Sequence, residues 1–296
     1  MLLDRRVFLA GAAALLPAVG RAAPGADARP GPRVAALNWG AALALASLGL
    51  PPVCTTELKL YAQFVVEPAL PPETLETGLR PEPNFERLLA IRPDLILIDG
   101  ELENIRPRLE RIARTLAYDA FTPNVPDHWT NGAEAMRKLA AEVGRQSDCE
   151  AYLAQAERTL ERSRAALARY DGRPLLLVSI VDARRALVFG KNSLFQPVLD
   201  RLGLKNAWDQ PTSPYGHSVV TIDRLGVAPE ARFVSVGNER IASETMLRAH
   251  PVAGSIPSIR AGRITTLPAL LFYGGLPAAV RFARLVGERL PAGGQG

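Results

Sequence analysis

From Ser147 to Tyr170 the chain contains neither glycine nor proline, and its helical pattern is unbroken. A helix of ~22 residues spans about 33 Å at ~1.5 Å per residue, the length of a whole domain. Ser147-Asp148-Cys149-Glu150 reads as its cap signal, and Asp171-Gly172-Arg173-Pro174 stops it. Such a helix in mid-chain constrains the fold strongly, because whatever precedes it and whatever follows it must both pack along one rigid rod.

On both sides the sequence alternates between strand-like and helix-like segments. Before the rod, strand 34–37 precedes helix 41–48, and a short extended stretch lies at 53–55. Helix 105–115, extended 116–121 and helix 129–143 follow. After it come strand 175–181, a hairpin-like 186–189, helix 193–202, strand 232–236, helix 242–249, strand 263–267 and a final helix near 276–290. The expected fold class is therefore α/β: two α/β lobes, 33–146 and 172–296, joined by one long backbone helix at 147–171.

One loop holds a charge on unusually stiff backbone. In "TGLRPEPNFERLLAIRPDLILI", Pro81 and Pro83 fix φ and push Arg80 and Glu82 toward extended conformations. Asn84 reads as a helix N-cap, Phe85, Leu88 and Leu89 recur at helical spacing, and Leu95-Ile96-Leu97-Ile98 reads as a buried parallel strand. Arg80 thus lies in a loop feeding a helix, where α/β sheets build ligand sites. The competing reading is a surface arginine paired with Glu76 or Glu82.

The amino terminus reads as an export signal over 1–22. Twin arginines Arg5-Arg6 precede an apolar run too short to span a bilayer, and small residues stand at cleavage spacing. A Pro/Gly/Ala-rich stretch over 23–32 is expected to be flexible. These features imply a periplasmic location. The formal charge of +5 comes from 31 arginines and only 4 lysines, scattered among acids without a basic tract, which argues against nucleic-acid binding. Cys54 and Cys149 form no disulfide framework and are expected to be buried free thiols.

Catalytic signatures are missing: there is no G-x-S-x-G, G-x-G-x-x-G, H-E-x-x-H or C-x-x-C. "FGKNS" at 189–193 mimics the tail of a P-loop, but Arg185 stands where its first glycine belongs and Asn192 replaces its Ser/Thr. His128, His217 and His250 are out of helical reach of one another, and no cluster has metal-ligand spacing. The reading is of a non-enzyme with no cofactor.

The loop quoted above resembles the N-lobe signature of helical-spine binding proteins serving iron-chelate and cobalamin importers. "RPLLLVSIVDARRALVFGKNSLFQPVLDRLGLKNAW", "VVTIDRL" and "LLFYGG" narrow the resemblance to the FhuD family of periplasmic ferric-hydroxamate binding proteins, over nearly the whole chain after the signal. The resemblance implies a ligand cleft between the lobes. It implies that Arg80, in "GLR-x-EPN", meets the ligand, with Trp39 ("ALNW"), Phe64, Tyr215 and Tyr273 ("FYG") as the aromatic set. Phe64 and Tyr215 stand where the family has tryptophan, and Leu102 stands where it has a tyrosine that assists the arginine. The competing reading of Trp39 and, more strongly, of Phe64 is an ordinary core residue, and His217 is placed near the mouth without ligand contact.

A ferric trihydroxamate wraps iron in six oxygens, so such a cleft needs donors and apolar planes rather than metal ligands. The implied partners are the ferric hydroxamate siderophore and an inner-membrane ABC permease, docked through Asp223 and either Glu103 or Glu110, with the protein itself a monomer. Other readings are a binder of another ferric chelate, heme or a corrinoid, and, from a different class, a periplasmic siderophore esterase or reductase.

Overall fold

The computed structural model describes residues 31–237 and 244–291. The export signal expected over 1–22, and all but the end of the flexible stretch expected over 23–32, lie outside them. Two sheets dominate. The first is wholly parallel, in the order β3-β2-β1-β4-β5: β1 Val34–Ala36, β2 Cys54–Thr55, β3 Leu75–Glu76, β4 Leu95–Ile98 and β5 Arg114–Ala117. The second is mixed, in the order β10-β9-β6-β7-β8. In it β6 Leu175–Ile180, β9 Arg232–Val236 and β10 Ile264–Leu267 run parallel, while β7 Arg185–Phe189 turns back as a hairpin and β8 His217–Thr221 pairs antiparallel with it. The Asp182 carboxylate accepts from the backbone N–H groups of Arg184 and Arg185 and so shapes the hairpin turn.

Strand alternation decides where each sheet is dry. Val34, Ala36, Leu95 and Leu97 on one face of the first sheet, and Leu175, Leu177, Val234 and Val236 on one face of the second, belong to a single core cluster. Their alternates fill two separate clusters: Ala35, Leu37, Ile96 and Ile98 in one, Leu176, Val178 and Phe233 in the other. Both sheets therefore turn one face to a shared helical layer and the other to helices of their own lobe.

That layer is the spine helix Gln146–Ala166, flanked by helices His128–Val143 and Gly275–Arg289. The spine starts earlier than its sequence suggests. Gly144, at φ +68, closes the preceding helix by donating its N–H to the Ala140 carbonyl, and Arg145 stands at the spine's N-cap without a side-chain cap. Ser147 and Asp148 sit inside the first turn, where Asp148 favours the positive end of the helix dipole. The three helices pack backbone to backbone. A Cβ on Gly287 would lie 2.8 Å from the Ser163 Cα, and one on Gly132 would lie 2.8 Å from the Leu276 nitrogen.

Other expectations need correction. In place of a helix over 105–115, a 3-10 turn Gly100–Ile105 leads into a single helical turn Arg106–Leu109, and Arg114 already begins β5. Pro107, at the start of that turn, is tolerated there but cannot sit deeper in a helix. The strands β3 and β8 and the helix Leu58–Phe64 had no clear sequence signal. In the helix expected over 242–249, Glu244–Ala249 is helical and 242–243 lie outside the described residues. Cys54 and Cys149 are both free and buried, and burial pushes the Cys54 thiol up to about 12 although Arg33 pulls it down.

Polar ties also join the lobes beside the shared core. Asp127 caps helix His128–Val143 by accepting from the N–H groups of Trp129 and Thr130, and its carboxylate takes Arg201 at 2.8 and 3.3 Å. His128 Nε2–H donates to the Asn192 carbonyl at 3.0 Å, and the Asn124 N–H donates to the Pro214 carbonyl. Partial burial pushes the Asp127 carboxyl up, but hydrogen bonds from Arg201 and Thr130 outweigh it and bring the group down to about 2.

Two outcomes follow. Gly287→Val forces the terminal helix off the spine and is expected to lower stability by roughly 1–3 kcal/mol, read as a shifted urea midpoint. The folded Asp127 carboxyl titrates below its unfolded value of 3.8, so its contribution is complete above that pH and lost as pH falls toward 2. Asp127→Asn should therefore melt below wild type at pH 7, with the gap closing as acid is added. A pH-independent gap would remove the ion pair as its cause.

Candidate functional site

The loops that follow β1, β2 and β3 lie side by side, because those strands are parallel neighbours. They carry Trp39, Glu57 and Arg80 respectively, at the carboxyl ends where open α/β sheets gather ligands. The Arg80 loop is as stiff as its prolines require. Gly78 and Pro83 pair as an isolated bridge, the Asn84 N–H donates to the Thr77 carbonyl at 2.7 Å, and the Asn84 side chain caps the next helix at the Arg87 N–H. Gly78 has φ +88, and a Cβ there would stand 3.3 Å from the Glu82 carbonyl oxygen, so glycine is required.

The Arg80 guanidinium carbon lies over the Trp39 ring, 4.0 Å from its centroid. Its Nε–H donates to Glu57 Oε2 at 2.6 Å. The partner is thus neither Glu76, which accepts from the Leu58 N–H, nor Glu82. The Arg80 side chain keeps 46% of its surface exposed, and its two terminal nitrogens make no hydrogen bond among the described residues. Four N–H donors are therefore free to meet a ligand.

Trp39 is buried, held by Nε1–H donating to the Thr56 carbonyl, and stacks at 6.1 Å and 22° on the exposed Phe64. It serves both readings the sequence left open: a core residue from below, a platform for Arg80 above.

A second aromatic surface faces the same corner. Tyr215 is half exposed, 5.8 Å from Tyr273 and nearly parallel to Phe121 at 6.4 Å. Phe121 meets Tyr273 edge-on at 5.1 Å and stacks on His128 at 4.1 Å. The two surfaces adjoin through backbone, since a Cβ on Gly40, next to Trp39, would touch the Ala120 Cβ and come within 3.7 Å of the Tyr273 carbonyl oxygen.

His217 was expected near this mouth, and Tyr273 Oη and His217 Nδ1 are hydrogen-bonded at 2.9 Å. Burial, with a smaller push from Tyr215, raises the Tyr273 hydroxyl to about 12, so it remains a protonated donor at any physiological pH.

Leu102 needs a correction. Only 3% of its surface is exposed, because it packs among Leu37, Leu88, Ile98 and Leu109 in the outer core of the first lobe. An apolar side chain gains more there than at a polar mouth, so it offers no surface to a ligand. The residues that sequence reasoning missed are Glu57, Phe121 and His128. Phe121 had a weak signal, being one of few aromatics in the chain. Glu57 had none, since it meets Arg80 only through strand pairing across 23 residues.

The acids considered for docking are placed unequally. Asp223 is exposed in the first turn of the 3-10 helix Ile222–Val227, with no charged partner among the described residues. Glu103 holds Arg106 through both oxygens, at 2.6 and 2.7 Å, which keeps its carboxyl below the usual range, whereas Glu110 reaches the same arginine only at 3.8 Å. Among the described residues no group of three or more His, Cys, Asp or Glu could hold a metal ion, and no helix is long and apolar enough to cross a membrane.

Against known proteins, the family model described as periplasmic binding protein matches residues 34–271. The iron(3+)-hydroxamate-binding protein FhuD of Escherichia coli is 32% identical over 254 residues, covering 86% of this chain and 85% of that one. The structure of Vibrio cholerae FhuD bound to Fe3+-Desferal superposes with a TM-score of 0.80 at 26% identity, over 88% of this chain and 98% of that one. The catecholate-siderophore binding protein VctP of Vibrio cholerae shares the fold, with a TM-score of 0.66 at 18% identity over 87% and 94%.

Proposed function

This chain belongs to the periplasmic binding protein family, a family of binding proteins, and from that premise we propose that it captures ferric hydroxamate siderophores and delivers them to an ABC importer. The observation that carries the reading is the Arg80 fork, clamped by Glu57 and Trp39 with its terminal nitrogens free, beside the aromatic surface of Phe121, Tyr215 and Tyr273.

A ferric trihydroxamate presents paired oxygens of partial negative charge around an iron already saturated. A planar guanidinium matches such oxygens in two-point fashion, as a lysine ammonium does not. The aromatic planes receive the chelator's carbon skeleton at low entropic cost. Phe64 and Tyr215, both exposed, are the apolar contacts on the two lobes, and with His217 Nδ1–H donating to it the Tyr273 hydroxyl adds a neutral donor.

Delivery is a docking event in the periplasm, with the protein acting as a monomer. Asp223 is the contact on the second lobe. On the first, Glu110 is better placed than Glu103, whose charge Arg106 already satisfies in two-point fashion. The family supports a periplasmic location, and the twin-arginine pattern is consistent with it.

Titrating the purified protein with a ferric trihydroxamate should quench its tryptophan fluorescence, because Trp39 lies directly beneath the arginine. Arg80→Ala should weaken binding by about tenfold or more, equivalent to ~1.4 kcal/mol. Wild-type affinity in that variant would remove Arg80 from the site. Quenching by heme, a corrinoid or a catecholate, but by no hydroxamate, would reassign the ligand.

A further inference from the structure

We infer that Glu57 is a specificity residue of this site, acting as the built-in counter-ion that keeps the arginine's surroundings close to electroneutral and so selects uncharged iron chelates over anionic ones. The inference rests on the binding role proposed above and adds the charge class of the ligand.

Three observations carry it. The Glu57 side chain is only 14% exposed and lies 2.6 Å from Arg80 Nε, so its charge acts at short range and is weakly screened. It is held there against a backbone cost: Glu57 has φ 49 and ψ 52, a left-handed conformation that strains a residue carrying a Cβ. The position is fixed from both sides, since the Glu57 N–H donates to the Gly78 carbonyl, two residues before Arg80, while the Glu57 carbonyl accepts from the Tyr61 N–H. Finally, among the described residues the ring contacts of the two aromatic surfaces are with other aromatic or histidine rings, apart from Arg80 over Trp39. Phe64, Phe121, Tyr215 and Tyr273 are uncharged, and of the two titratable neighbours His217 is hydrogen-bonded to a neutral hydroxyl and His128 to the Asn192 backbone carbonyl.

The arithmetic is simple. Three hydroxamates, each carrying one negative charge, cancel the three positive charges of ferric iron. A chelate that also carries free carboxylates, or that uses doubly charged oxygen donors, remains an anion. A bare arginine would attract that anion from a distance and hold it better than the neutral complex. An arginine already paired offers its N–H groups without a net field, so it hydrogen-bonds a neutral chelate and gives an anion little additional attraction.

The test compares two probes by tryptophan quenching: a neutral iron(III) complex of an end-capped trihydroxamate, and the iron(III) complex of a citrate-bridged dihydroxamate, which is anionic at pH 7. In wild type the anionic probe should bind more weakly, with little dependence on salt between 20 and 500 mM. Glu57→Gln retains an oxygen acceptor for Arg80 Nε but removes the charge. It should shift the preference about tenfold toward the anionic probe, measured against the neutral one in the same variant, and make that gain disappear in high salt. Glu57→Asp, which keeps the charge, should keep the wild-type preference. If Glu57→Gln weakens both probes equally, or if wild-type binding of the anion already falls steeply with salt, Glu57 is not the selector. Should wild type bind neither hydroxamate complex, the hydroxamate reading itself fails along with it.

Discussion

A guanidinium in a half-open cleft has to be stable before any ligand arrives. Left alone there it would lose hydration without recompense; facing fully into water it would collapse onto the surface and lose its aim. Here the Arg80 guanidinium lies over the Trp39 ring and gives its Nε–H to Glu57, leaving its two terminal nitrogens without a hydrogen bond among the described residues. Each of these supports is itself anchored by backbone, Trp39 through the Thr56 carbonyl and Glu57 through the Gly78 carbonyl. The donors are thus aimed in advance, and little ordering remains to be done when a ligand binds.

The same logic extends to the frame. Two lobes with separate cores would be free to hinge about a linker, and their relative position would depend on the ligand. In this chain the inner faces of both sheets drain into one core built on the spine helix, and glycines at 132 and 287 let the flanking helices approach to backbone contact. Arg201 reaches across to Asp127 and His128 to Asn192. Opening such a structure widely would expose apolar surface on both lobes at once, so capture is a matter of fitting a preformed corner.

Sequence revealed what depends on local pattern and missed what depends on pairing. The run Leu95–Ile98 was legible as a buried parallel strand because both of its faces are covered, and Asn84 was legible as a cap because its role is settled within three residues. The spine was legible from the absence of breakers. Its start was not, because Gly144 closes one helix and lets the next begin two residues later without a side-chain cap. Arg80 was marked by its prolines, but its counter-ion was hidden, since no linear pattern ties position 57 to position 80. Leu102 failed in the opposite sense: resemblance placed it at the ligand, and hydrophobicity drew it into the core.

That last case bears on how the cleft works. At the position where the resemblance implies a tyrosine hydroxyl assisting the arginine, the first lobe has the buried Leu102. The opposite surface carries one instead. The Tyr273 hydroxyl is kept protonated by burial and oriented by His217, which resides on an edge strand that the first lobe never touches through the sheet. On the proposed reading, donors to the chelate would be divided between lobes, a charged fork on one and a neutral hydroxyl on the other. Such a division works only if the lobes hold a fixed separation, because a hydrogen bond stretched by even half an ångström is largely lost. The shared core and the split donor set are consequently two sides of one design, in which rigidity between lobes makes it unnecessary for either lobe to recognise the ligand alone.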